Sequence, residues 1–184
     1  MMKRSLQLIS FFVFLSLLVS CSPKTYPPKA NEYPIITVDK EVQKFNLKLD
    51  FMRKHFSGIL AVRKMDNEEI RIIAATPFGL SLFDFGLKEN EEWTVYSCIE
   101  PMRKEKFLKI LERDFKLLFL SDRNFEKKEI KDNYTKFAIG KGFSKSTIFI
   151  SPAKDNGLEN IKIKHAWWLG LTITLDKIEE DATE

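Results

Sequence analysis

From Lys44 to Met52 the chain alternates: Phe45, Leu47, Leu49 and Phe51 fall on one side, and Lys44, Asn46, Lys48 and Asp50 on the other. A period of two is the mark of a strand with one buried and one wet face, because successive side chains of an extended chain point to opposite sides. The signature recurs, and it restricts the fold to an antiparallel sheet with one covered face. Ser57–Met65, Ile70–Thr76, Leu80–Leu87 and Trp93–Ile99 read as further strands. The polar stretches Asp66–Glu69 and Lys88–Glu92, and the breaker Pro77-Phe78-Gly79, connect them as a meander.

The period then changes once. Between Arg103 and Leu120, Phe107, Leu108, Leu111, Phe115 and Leu118 share one face of a helix, and Ile110, Leu117, Phe119 and Leu120 widen it. Lys104, Lys106, Lys109, Glu112, Arg113 and Lys116 supply the polar side, Glu112 and Lys116 form an i,i+4 pair, and Pro101 suits a helix start. The polar stretch Asp122–Asn133 carries no strand pattern. Tyr134–Gly140 and Phe143–Ser151 resume the alternation, and Asp155-Asn156-Gly157 is a tight-turn signal. Beyond it Ile161, Ile163, His165, Trp167, Leu169, Leu171, Ile173 and Leu175 are all odd-numbered. They form either one long strand or two in the same register across a bulge at His165–Trp168. The expected architecture is mainly β (α+β), about nine antiparallel strands and one amphipathic helix lying against a sheet face.

The N-terminus is of another kind. Met1-Met2-Lys3-Arg4 precedes a nearly continuous apolar run, Leu6–Val19, which suits a signal-peptide core and is short for a bilayer span. It ends Leu18-Val19-Ser20-Cys21, which resembles the lipobox of bacterial lipoproteins. That resemblance implies cleavage before Cys21, acylation of Cys21 and durable membrane anchoring, since several acyl chains hold far better than one. Ser22–Pro34 holds four prolines among polar residues and reads as an extended tether reaching at most about 40 Å. No acidic residue follows Cys21 directly, so the resemblance implies an outer-membrane anchor with the domain in the periplasm. The expected organisation is a signal peptide over 1–20, a lipidated Cys and tether over 21–34, and a single β-rich domain over 35–184.

Composition and motifs bound the function. Without residues 1–20, 28 basic residues face 26 acidic ones, which removes net charge as an argument for nucleic acid. Cys98 sits in a strand pattern with no base nearby in sequence and reads as a buried thiol. His55 and His165 lie in no metal spacing, and His165 reads as a satisfied or half-exposed strand histidine. Gly140-Lys141-Gly142 lacks the setting of a phosphate loop, and the Glu91-Glu92 and Glu179-Glu180 pairs read as solvated charges. Arg103, Lys104, Lys106 and Lys109 form one basic cluster, a solvated face or a contact for lipid headgroups or an acidic partner. No catalytic, cofactor or metal set emerges, and an enzyme is not expected.

Phe56-Ser57-Gly58-Ile59-Leu60-Ala61-Val62, Thr76-Pro77-Phe78-Gly79 and Gly157-Leu158-Glu159-Asn160-Ile161-Lys162-Ile163 together are similar to the half-barrel lipoprotein carriers and receptors of Gram-negative bacteria, the LolA/LolB group, over residues 44–178. The resemblance implies a curved antiparallel sheet around a cavity, a helical cover on its concave face, and acyl chains of lipids or lipoproteins as ligands. Candidate cavity or core lining is Phe45, Leu47, Leu49, Phe51, Phe83, Phe107, Leu111, Phe115, Trp167, Leu169 and Leu171. The competing expectation is a non-enzymatic envelope assembly or interaction lipoprotein with a filled core, an exposed apolar patch and a protein partner.

Overall fold

The computed structural model describes residues 25–26, 30–31, 34–51, 53–121, 123–125, 127–140, 145–152, 158–166 and 169–178. The signal segment 1–20, Cys21, most of the tether and Trp167 lie outside the described residues. The strands in chain order are β1 (Thr25–Tyr26), β2 (Ala30–Asn31), β3 (Gln43–Phe51), β4 (Lys54–Lys64), β5 (Ile70–Ala75), β6 (Ser81–Leu87) and β7 (Trp93–Cys98). A 3₁₀ turn (Glu100–Met102) and helix α1 (Glu105–Phe119) follow. The chain then returns to strands: β8 (Arg123–Asn124), β9 (Lys127–Lys131), β10 (Tyr134–Ile139), β11 (Ser146–Pro152), β12 (Leu158–His165) and β13 (Leu171–Lys177).

Eleven strands form one open antiparallel sheet in the order β1-β9-β10-β11-β12-β13-β3-β4-β5-β6-β7, and β2 pairs with β8. This exceeds the expected nine. The additional strands are short or polar: β9 reads Lys-Lys-Glu-Ile-Lys, and its pairing with β10 is made by backbone groups that hydrophobic periodicity does not report. The odd-numbered run from Ile161 to Leu175 is two strands, joined by a chain reversal instead of a bulge. Ile161 opposes Leu175 and Ile163 opposes Ile173. The reversal preserves parity, so the odd positions of the two strands share one face. Pro101 lies in the 3₁₀ turn ahead of the helix.

The apolar face is assembled by register. Phe137, Ile148, Ile163, Ile173, Leu49 and Phe56 are successive cross-strand partners from β10 to β4. Phe45, Leu60, Ala74, Phe83 and Cys98 make a second row from β3 to β7. Helix α1 turns Phe107, Leu111, Phe115 and Leu118 into the same core. The Phe107 ring lies 4.4 Å from that of Phe51, and Phe115 meets Phe83, Phe85 and Trp93 at 5.9–6.2 Å between centroids. Each fully buried side chain of this size contributes about 1.5–3 kcal/mol. The segment before β3 closes the helix end, where the Ile36 N–H donates to the Leu118 carbonyl at 2.9 Å and relieves one orphan acceptor. Among the described residues no helix is long and apolar enough to cross a membrane.

One close approach decides the β4–β5 seam. A Cβ on Gly58 would stand 2.2 Å from the Ala75 carbonyl oxygen, beside the register shift between Ala74 and Ala75. Backbone cannot yield there as a side-chain tip can. Gly58→Ala is expected to cost about 1–3 kcal/mol, read as a lowered urea midpoint with unchanged slope.

Candidate functional site

Three features stand out from ordinary core and surface. The first lies beneath the helix. Asp114 occupies the apolar stripe, three residues after Leu111 and four before Leu118, and its side chain has no solvent exposure. His165 is on an inward parity position of β12, with a side chain 2% exposed. His165 Nε2 stands 2.8 Å from Asp114 Oδ2. Arg113 Nη2 donates to Ser146 Oγ at 2.5 Å and lies 3.4 Å from Asp114 Oδ1. Ser146 is the direct cross-strand partner of His165. Serine, histidine and aspartate thus share one cluster, but the Ser146 hydroxyl accepts from Arg113, and the group sits under the helix. Its chemistry suits a clamp: two ionisable side chains out of water hold α1 to the β11–β12 part of the sheet.

The second feature is the β5–β6 turn. The Gly79 N–H donates to the Thr76 carbonyl at 2.9 Å, the Thr76 N–H to the Leu80 carbonyl at 2.8 Å, and the Leu80 N–H to Thr76 Oγ1 at 3.1 Å. Gly79 adopts φ +81°, a value that favours glycine, and Pro77 presets the turn. This bonded turn holds Phe78 97% exposed and Leu80 63% exposed. Burying both would remove a large apolar area from water, so nothing local accounts for their exposure.

The third is a network on the outer face of β5–β7. Arg71 makes a two-pronged pair with Asp84 at 2.5 and 2.7 Å and stacks 3.6 Å over the Tyr96 ring. The Tyr96 hydroxyl donates to the carboxylate of Glu69 at 3.0–3.2 Å, a hydrogen bond that pushes its pKa up. The buried Glu69 carboxylate rests on Gly86, where a Cβ would be 2.6 Å away. Arg71, Asp84 and Glu69 each find a partner within this network. A separate cleft of about 480 Å³ opens at the C-terminal end of α1, between Lys64, Ile70, Glu89, Glu91, Phe119 and Leu120.

The structure gathers Phe45, Leu47, Leu49, Phe51, Phe83, Phe107, Leu111, Phe115 and Leu171 into one buried cluster, with Leu169 packed partly buried against it. Trp167 and Cys21 lie outside the described residues. Cys98 is a free buried thiol, and burial pushes its pKa up against the smaller opposing pull of Arg103. His55 is exposed and pairs with Asp50 at 2.5 Å. In the basic cluster Arg103 donates to the Cys98 carbonyl and Lys109 pairs with Glu105, while Lys104 and Lys106 are exposed. Asp114 was not singled out from sequence, although a carboxylate inside a helical apolar stripe is a readable signal. Its meeting with His165 has no local signature. Compared with models of protein families and with curated proteins, the chain matches none.

Two outcomes are expected. Asp114→Leu leaves His165 buried without its carboxylate neighbour and costs about 1–3 kcal/mol, whereas adding His165→Leu recovers most of that loss, measured by denaturant unfolding of both variants. Cys98 reacts with iodoacetamide at mildly alkaline pH only at the rate of unfolding, because its thiol is buried and its pKa raised; prompt labelling of the native chain would contradict this.

Proposed function

We propose that the chain is a lipid-anchored protein of the outer membrane, facing the periplasm, whose sheet and helix handle the acyl chains of lipids or lipoproteins without catalysis. The observation that carries this reading is the β5–β6 turn, a bonded hairpin tip that presents Phe78 and Leu80 to solvent. An apolar hook fixed on a rigid turn suits contact with an acyl chain or a bilayer. The lipobox-like Leu18-Val19-Ser20-Cys21 supports a membrane setting.

The half-barrel form of the sheet belongs to the same proposal. The neighbours Asp114 and Phe115 reach His165 on β12 and Phe83 and Phe85 on β6, strands five places apart in the sheet. At about 4.8 Å per strand a flat sheet would separate those strands by about 24 Å. That favours a sheet wrapped around the helix. The wrapped face is filled by Phe107, Leu111, Phe115 and Leu118, so acyl chains would take the place of the helix when it lifts, with the Asp114–His165 pair as the contact to be broken. A second reading, an envelope interaction module, is favoured by the edge strand β7, where Val95 is 41% and Tyr96 49% exposed with Ile73 nearby at 38%.

The test is binding of a dansylated lipopeptide. Phe78→Ser with Leu80→Ser is expected to weaken binding at least tenfold, about 1.4 kcal/mol, with an unchanged melting temperature. Equal binding by the variant, or none by the parent, would remove the acyl-handling reading in favour of the interaction module.

A further inference from the structure

We infer that the outer face of β9–β12 lies on the anionic headgroups of a phospholipid bilayer and sets the orientation of the domain on the membrane. The membrane setting rests on the anchor reading of Cys21; the choice of face does not. On this face Tyr134 and Phe149 meet edge-on at 5.7 Å between ring centroids. Lys131 stands 5.6 Å from the Tyr134 ring, and Lys136 and Lys164 stand 5.9 and 5.6 Å from the Phe149 ring. Lys162 is the cross-strand partner of Phe149 on the side opposite Lys136. Glu129 is largely buried between Lys131 and Lys136 at 3.6 and 3.5 Å, β12 also carries Glu159, and exposed Asp132 lies in the β9–β10 turn. Four lysines therefore frame two half-exposed aromatic rings.

The rest of the outer face is different. There Arg71 is matched by Asp84, Lys48 by Asp176, and His55 by Asp50. The β9–β12 side, where lysines lie over aromatic rings, receives the N-terminus. β1 pairs antiparallel with β9, Thr25 opposite Glu129 and Tyr26 opposite Lys128. The chain thus enters β1 at the end of β9 that carries Lys131 and turns into Tyr134. Three residues separate Cys21 from Thr25, four steps along the chain that span at most about 14 Å. An anchor at Cys21 would hold this face within a distance comparable to the screening length of about 8 Å at physiological salt. Lysines with aromatic neighbours suit the headgroup layer, where amphipathic rings sit at the interface and each lysine strengthens partitioning to anionic lipid by about fivefold. A soluble polyanion would use the charge but would have no need of the nearby anchor.

The experiment uses residues 21–184 carrying Cys21→Ser, which keeps every described residue, with vesicles of phosphatidylcholine alone or mixed with phosphatidylglycerol. Sedimentation is expected to show binding to the anionic vesicles only, weakened by added salt. Changing Lys131, Lys136, Lys162 and Lys164 to Gln is expected to weaken it by nearly three orders of magnitude, while Lys104→Gln with Lys106→Gln leaves it unchanged. If the fourfold variant melts early, Lys162→Gln with Lys164→Gln serves instead, with a loss of about one order of magnitude. Equal binding to neutral vesicles, no loss in the face variants, or preference for soluble polyphosphate over vesicles would overturn the inference. The anchor is read separately: the intact mass of the full chain isolated from membranes carries added acyl mass at Cys21, and its absence would sink the anchor while leaving the vesicle result to stand.

Discussion

Among the described residues, an eleven-stranded sheet with one apolar face has one helix of fifteen residues to cover it. That imbalance governs the molecule. Phe107, Leu111, Phe115 and Leu118 have to reach strands on both sides of β3, and aromatic side chains are the means, since each spans more space and buries more area than an aliphatic one. The cluster Phe83, Phe85, Trp93 and Phe115, with ring centroids 4.6–6.2 Å apart, is where the helix is held to the β6–β7 side. The β11–β12 side is held by a different kind of contact, the Asp114–His165 pair with Arg113 and Ser146 beside it. Apolar packing tolerates small displacements, whereas a buried polar group is costly to leave without a partner. The two sides of the cover are therefore held by chemically different contacts.

The outer face is divided in the same way. Across β3–β7 and β13 the charges close upon one another through Arg71 with Asp84, Lys48 with Asp176, and Asp50 with His55. Across β9–β12 the lysines outnumber their acids and lie over aromatic rings. The first half of the face also exposes Ile59, Ile73, Val95 and Tyr96, and the second exposes lysines over aromatic rings. Since β1 joins the sheet beside β9, the second half is also the half nearest to the start of the chain. The exposed tip at Phe78 and Leu80 is distinct from both, held out by backbone hydrogen bonds that do not depend on anything it touches.

What the sequence by itself determined is the set of facing relations. Alternation put Phe45, Leu47, Leu49 and Phe51 on one side of a strand, helical spacing put Phe107, Leu111 and Phe115 on one side of a helix, and Thr76-Pro77-Phe78-Gly79 announced a turn. These follow from backbone geometry within a few residues, so local pattern suffices. The polar strand β9 escaped that pattern because its pairing is carried by main-chain groups, and the run from Ile161 to Leu175 concealed a chain reversal because parity is the same on either side of it. Only the tertiary structure decided who meets whom: Asp114 and His165, Arg71 and Tyr96, β1 and β9. Each of those contacts depends on strand order and register, which are settled by the packing of the whole sheet and leave no trace in the neighbourhood of the residues concerned.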